Sequence, residues 1–202
     1  GPCRNGLHIN ISLNKNGSNI FKNEGEKDLE AESFIAGVLS KTREITAFLN
    51  PIVNSYERFG KFEAPKYISW SHQNRSQLIR IPAATGEKTR MELRSPDSAI
   101  NPYLAFSLIL AAGVYGIENS LTLPKEINEN LYILGEEKLK DIEVLPESLQ
   151  EALDIAKESE FIKSVIGSEF LNRYVELKQT EVDRYNKAIE KENIKRMYFE
   201  YI

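Results

Sequence analysis

The sequence has very little cysteine, a single residue, Cys3, in 202. A disulfide framework within the chain is therefore excluded, and a reducing, cytoplasmic setting is expected. Histidine is almost as scarce. Only His8 and His72 occur, which excludes a multi-histidine metal site. There is no glycine-rich phosphate loop, dinucleotide fingerprint, zinc-type cysteine cluster or nucleophile elbow. Apolar runs such as 104–114 are shorter than the roughly 20 residues a membrane span needs, so no membrane is expected. An excess of positive charge is missing as well: the formal net charge is −4, which argues against a nucleic-acid partner. No signal-peptide pattern opens the chain, and its first residue is Gly1. The expectation is a piece of a longer protein.

What is present suffices for one sizeable core, since 41% of the residues are hydrophobic. Residues 7–13 alternate, with Leu7, Ile9, Ile11 and Leu13 on one face and His8, Asn10 and Ser12 on the other. That is the period of a half-buried strand. Residues 14–27 are polar and read as a loop. Residues 28–49 carry an apolar stripe at helical spacing, closed by Pro51. Residues 67–71, 77–81 and 90–94 are short strand candidates. Asn101-Pro102 predicts an N-cap followed by proline in the first helical position. The helix after it is apolar nearly all round and is expected to be buried. Residues 124–146 read as mixed loop, and 147–157 and 167–191 as charged amphipathic helices. The 197–202 tail is apolar and aromatic, a composition that docks against something. The expected class is α+β: an antiparallel sheet backed by helices over residues 1–120, and a helical C-terminal region over 121–202.

Between Arg58 and Arg94 the charge reverses. Arg58, Lys61, Lys66, Arg75, Arg80, Lys88, Arg90 and Arg94 stand against Glu63, Glu87 and Glu92, an excess of +5 in a chain of net −4. Arginine suits forked contacts to carboxylate and phosphate oxygens. At strand period Arg90, Glu92 and Arg94 share a face, with Met91 and Leu93 behind. Two readings of that row stay open. One is an exposed salt-bridge ladder; the other is a carboxylate that binds a divalent cation between arginines that hold an anion. A lone histidine such as His8 is more often structural than a ligand, and magnesium-type ions prefer oxygen donors.

The order of several short motifs goes further. Asn54-Ser55-Tyr56-Glu57-Arg58, Phe62-Glu63-Ala64-Pro65, Asn74-Arg75-Ser76, Ile79-Arg80-Ile81-Pro82, Arg90 to Asp97 and Asn101 to Phe106 follow one another. Gly6-Leu7-His8 and Asn130-Leu131-Tyr132 flank them. This series resembles bacterial-type glutamine synthetases, C-terminal catalytic portion, over nearly the whole chain.

The resemblance implies an ATP-dependent ligase that joins glutamate and ammonia through γ-glutamyl phosphate, with Mg2+ or Mn2+. It implies that His8 and Glu92 are metal ligands. Arg58 and Arg94 would hold glutamate and the transferred phosphoryl group. Arg75, Arg80 and Arg90 would handle phosphates, and Ser12 and Lys88 would lie near the nucleotide. Glu63 would sit on a flap and help deprotonate ammonium. The family's remaining metal carboxylates lie upstream of the matched region, so the piece is expected to be inactive alone. The resemblance also implies a homo-oligomer, a dodecamer whose tail, here 197–202, inserts into the opposite ring. Tyr132 matches a tyrosine that some members adenylylate. Three departures stand out. Asn10 replaces a second histidine, Cys3-Arg4-Asn5 replaces a glycine-rich loop, and the 59–62 flap segment is one residue short. They leave open a relative that joins glutamate to a larger amine, and, less in keeping with the retained charges, a non-catalytic structural relative.

Overall fold

The computed structural model describes residues 6–22, 28–61 and 63–187. The expectations for the 3–5 loop, for Phe62 and for the 197–202 tail lie outside these residues.

Four short strands form the central sheet: β1 (Ile9–Ile11), β4 (Trp70–His72), β5 (Ile79–Ile81) and β6 (Met91–Leu93), in the order β1-β6-β5-β4. The α+β class is therefore as expected. β1 with β6 and β6 with β5 are antiparallel, whereas β5 with β4 is parallel. The parallel step needs the chain to double back within six residues. Gln73, with φ of 60°, and Asn74, whose side chain accepts from the Ser76 amide, make that reversal.

Alternation then sorts the side chains. Ile9, Met91, Leu93, Ile79, Ile81 and Trp70 enter the hydrophobic core. Asn10, Glu92, Arg80 and Ser71 stand side by side in register across the other face.

Helix α1 (Leu29–Leu49) begins where Asp28 accepts hydrogen bonds from the Glu30 and Ala31 amides. Helix α2 (Pro102–Glu118) begins as predicted, with the Asn101 side chain accepting from Tyr103 and Leu104. The two helices approach very closely. A Cβ on Gly116 would lie 2.0 Å from the Ser33 carbonyl oxygen, and one on Gly37 would lie 2.2 Å from that of Ala112. Only glycine permits this contact.

The expected full burial of α2 is not found. Ala105, Leu108, Ile109 and Ala112 are buried, but Tyr103, Phe106, Leu110 and Val114 lie exposed along one face. The close glycine contact seats one side of α2 on α1, and the described elements leave its opposite side uncovered.

Residues 14–27 were expected as loop, yet Asn14–Lys15 (β2) and Ser18–Asn19 (β3) form a hairpin. Asn16 and Gly17 both have positive φ, the two-residue turn that an Asn-Gly pair favours. Its flanks are polar, so no apolar alternation marked it.

After α3 (Glu136–Leu139) come α4 (Leu149–Glu158), α5 (Glu160–Ile166) and α6 (Ser168–Lys187). Ser148 caps α4, Ser159 caps α5, and Gly167, at φ of 83°, separates α5 from α6. These helices share the core of the sheet portion: Leu149, Leu153, Ile162, Leu171 and Val182 belong to one buried cluster with α1 and the strands. Tyr174 of α6 stacks on Phe48 at 4.2 Å between centroids and donates to the Ala47 carbonyl at 2.9 Å. No helix among the described residues is long and apolar enough to cross a membrane.

Candidate active site

The polar face of the sheet centres on Glu92. Its Oε2 accepts from Arg80 Nε at 2.7 Å and from Arg94 Nη1 at 2.9 Å. Its Oε1 lies 3.2 Å from His8 Nδ1. Strand register explains the convergence. Asn10 and Arg80 flank Glu92 on neighbouring strands, and Arg94 follows at i+2 on the same face.

Burial sharpens the electrostatics. Arg94 is 2% exposed and Glu92 6%. Burial pushes the Glu92 carboxyl up, but hydrogen bonds from Arg80 and Arg94, with their charges, outweigh it and hold the group below its ordinary value. Burial lowers the His8 pKa, and the Arg94 charge lowers it further against the opposing pull of Glu92. His8 is thus held towards its neutral form, the form that can ligate a metal.

Arg94 is clamped along its whole fork. Besides Glu92, it donates from Nε to the Arg75 carbonyl at 3.2 Å and from Nη2 to the Glu63 carbonyl at 3.4 Å. It therefore ties the sheet to Glu63, which takes a φ of 66° beside Ala64, whose carbonyl accepts from the Gly60 amide. The Glu63 side chain is exposed at the tip, 3.8 Å from Arg75 Nη1, and Arg75 is exposed too. Tyr132 is close enough to feel both charges. Burial raises its pKa, with Arg94 lowering and Glu63 raising it.

A second group forms the other end. Arg90 Nε donates to Asn10 Oδ1 at 2.9 Å and Arg90 Nη1 to the Lys88 carbonyl at 3.2 Å. Ser12 and Lys88 are exposed here. The β2–β3 hairpin holds this end in place. Buried Asn19 donates from Nδ2 to the Glu87 and Thr89 carbonyls and accepts from the Phe21 amide, while its own amide donates to Glu87 Oε2.

Arg58 stands apart from the Glu92 cluster. It is 5% exposed, on the turn Val53–Arg58, and donates to Asn50 Oδ1 and to the Ser95 carbonyl. Asp97 faces its Nε at 3.4 Å. Asp97 and Asn50 received no role from the sequence. Asp97 lies beyond Pro96, outside the strand alternation that singled out Arg90, Glu92 and Arg94, and Asn50 reads only as a helix end.

The residues gathered on the sheet suit charge neutralisation of a polyphosphate more than covalent catalysis. The fit to a divalent ion can be tested on geometry. Adjacent donors on an octahedral magnesium ion stand about 3.0 Å apart, given metal–ligand distances of about 2.1 Å. His8 Nδ1 and Glu92 Oε1 meet that spacing at 3.2 Å. Among the described residues no third His, Cys, Asp or Glu completes a cluster.

The family described as Glutamine synthetase, catalytic domain, matches residues 2–197. A glutamine synthetase of Methanosarcina mazei is 44% identical over 195 residues, which is 94% of this chain and 44% of that protein. One from Pyrococcus abyssi is 42% identical over 197 residues, covering 96% of this chain and 45% of that protein. Among solved structures, a GmaS/ADP complex superposes with a TM-score of 0.79 at 31% identity, over 93% of this chain and 44% of that one. The chain spans less than half the length of these relatives.

Proposed function

We infer, from the premise that this chain belongs to the glutamine synthetase family, that it carries the phosphate-handling part of a site that ligates glutamate and ammonia at the expense of ATP. The observation that carries the reading is the convergence of His8, Arg80 and Arg94 on the one carboxylate of Glu92.

His8 and Glu92 would hold a divalent ion, Mg2+ or Mn2+, which when bound neutralises phosphate charge. Arg94, locked by the Glu92, Arg75 and Glu63 contacts, presents a fixed cation where the phosphoryl group passes to the glutamate γ-carboxylate. Arg80 is turned onto Glu92 by its 2.7 Å hydrogen bond, so its charge supports the site through that carboxylate. Arg90, Ser12 and Lys88 line the end where the nucleotide would extend, and exposed Arg75 would reach its phosphates from the rim. Glu63, exposed on a turn where its φ is 66°, would take a proton from ammonium before the amine attacks the acyl phosphate. Arg58 would bind the glutamate carboxylate. The same reading includes a homo-oligomeric full-length protein, a dodecamer by resemblance.

The full-length protein supplied with glutamate, ATP and Mg2+ tests this. Phosphate release that requires ammonia supports the reading, and release indifferent to ammonia removes it.

A second reading, ligation of glutamate to a larger amine, rests on the altered Cys3-Arg4-Asn5-Gly6 stretch and on Asn10, of which Asn10 can be placed. Its side chain is spent on Arg90, so its departure from the family's histidine alters the nucleotide end of the site, away from the Glu63 turn. That placement favours ammonia. An amine panel decides, since a polyamine or monoamine preferred over ammonia would reverse the order of the two readings.

A further inference from the structure

Arg58 is held by more of the protein than its role requires. Its guanidinium is buried, with two hydrogen-bond acceptors and one carboxylate around it, from the end of α1 and from the 95–97 segment. Asn50 Oδ1 accepts from Nη2 at 2.8 Å, the Ser95 carbonyl accepts from Nη2 at 2.9 Å, and Asp97 Oδ2 lies 3.4 Å from Nε. Asn50 and Asp97 are anchored in turn. The Asn50 amide donates to Thr46 at the end of α1 at 2.8 Å. The Asp97 amide donates to the Leu49 carbonyl at 2.9 Å, and its Oδ1 accepts from the Ala99 amide at 2.9 Å. Asp97 is 1% exposed and Asn50 0%. The nitrogen that none of these three contacts engages, Nη1, lies beside Gly6, 3.5 Å from where a Cβ would stand on that residue. Gly6 precedes His8 by two residues and makes an isolated antiparallel bridge to Asp97.

A buried arginine needs a counter-charge, because desolvation disfavours the cation. Burial lowers the Arg58 pKa, and Asp97 is the charge that opposes this. The carboxylate lies on the Nε side of the guanidinium, so it does not block Nη1.

We propose that Asp97, assisted by Asn50, is the positioning residue that holds Arg58 with Nη1 free for the carboxylate of glutamate, and so sets glutamate affinity without touching glutamate. This rests on the reading of Arg58 as the glutamate-binding arginine. Asp97→Asn keeps the shape but removes the charge, and its amide can turn a donor towards Nε, so the guanidinium loses its alignment. The expected signature is selective: glutamate is bound less well, while ATP, which meets the Glu92 cluster, is bound as before.

The experiment is steady-state kinetics on the full-length protein, with KM for glutamate and for ATP measured in the wild type, Asp97→Asn, Asn50→Ala and Arg58→Lys. The expected result is a rise in glutamate KM of about tenfold or more in Asp97→Asn, a smaller rise in Asn50→Ala, and an ATP KM within about twofold of wild type. A glutamate KM unchanged in Asp97→Asn while Arg58→Lys raises it overturns the positioning role and leaves the proposed function standing. An unchanged glutamate KM in Arg58→Lys overturns the reading of Arg58, and this inference with it. If Asp97→Asn does not fold, Asn50→Ala carries the test, because Asn50 holds the same guanidinium through a neutral hydrogen bond. Equal rises in both KM values, in whichever of the two is measured, signal general loosening and overturn the proposal.

Discussion

Glu92 and Arg94 stand two residues apart on one face of the polar sheet, and the carboxylate of the first accepts a 2.9 Å hydrogen bond from the guanidinium of the second. The pair is buried, and His8 and Arg80 close around the same carboxylate. One acid thus organises three cationic or ligating side chains from three strand segments.

The Glu92 pKa is depressed, because the arginine hydrogen bonds outweigh burial. A depressed carboxylate contributes stability that is full above its unfolded value, near 4.5, and is lost as the pH falls through the folded value. Glu92→Gln has no such group. Melting temperature against pH, followed below pH 4.5, is expected to fall less steeply in the variant than in the wild type. Parallel curves would contradict the assignment.

Arg94→Lys keeps one charge and loses the fork. Its contacts to the Arg75 and Glu63 carbonyls cannot all be remade by an ammonium. Ammonia-dependent phosphate release by the full-length protein is expected to drop by about a hundredfold or more, as for loss of one preorganised donor. Loss of less than threefold would exclude a role in the transition state.

Asn19 is 1% exposed and ties the β2–β3 hairpin to the 87–89 segment through three hydrogen bonds. Asn19→Ala leaves the Glu87 and Thr89 carbonyls without that donor. Denaturant unfolding should show a loss of about 2 kcal/mol. The same variant is expected to raise the KM for ATP, because Lys88 belongs to the segment it frees and Arg90 follows directly after it. A stable variant with an unchanged ATP KM would contradict both.

Gly116→Ala places a methyl group 2.0 Å from the Ser33 carbonyl oxygen, a backbone atom that cannot rotate away. Thermal unfolding should reveal a loss of about 3 kcal/mol, the upper range for overpacking, because α1 and α2 must separate. A melting temperature equal to wild type would mean that the helices do not meet at this glycine.

Residues 1–202 alone are expected to give no ammonia-dependent phosphate release. Two metal donors, His8 and Glu92, meet among the described residues, and an ion held by two donors leaves the transition-state charge poorly compensated. Turnover by this chain alone would show that the site is complete within it.

Much of this was legible in the sequence wherever a period or a cap carried the signal. The alternation at 7–13 put His8 on the polar face of one strand and that at 90–94 put Glu92 and Arg94 on one face of another, and Asn101-Pro102 marked the start of α2. The features that stayed hidden have physical reasons. The β2–β3 hairpin is polar on both flanks, so its Asn16-Gly17 turn stood alone as evidence. The exposed face of α2 escaped notice because an all-apolar helix gives no contrast between its sides; its glycines, read for close approach, would have marked the buried side. The turn of Arg80 towards Glu92 depends on strand order, which short strands do not encode. Asp97 reaches Arg58 through tertiary packing after a proline, where no period applies.

The most direct measurement is anomalous scattering from Mn2+ in crystals of the full-length protein grown with ADP. A manganese peak within coordination distance of both His8 and Glu92, touching the nucleotide's phosphates, is the predicted result. Nucleotide and manganese bound elsewhere, with the His8–Glu92 pair touching neither, would contradict the account.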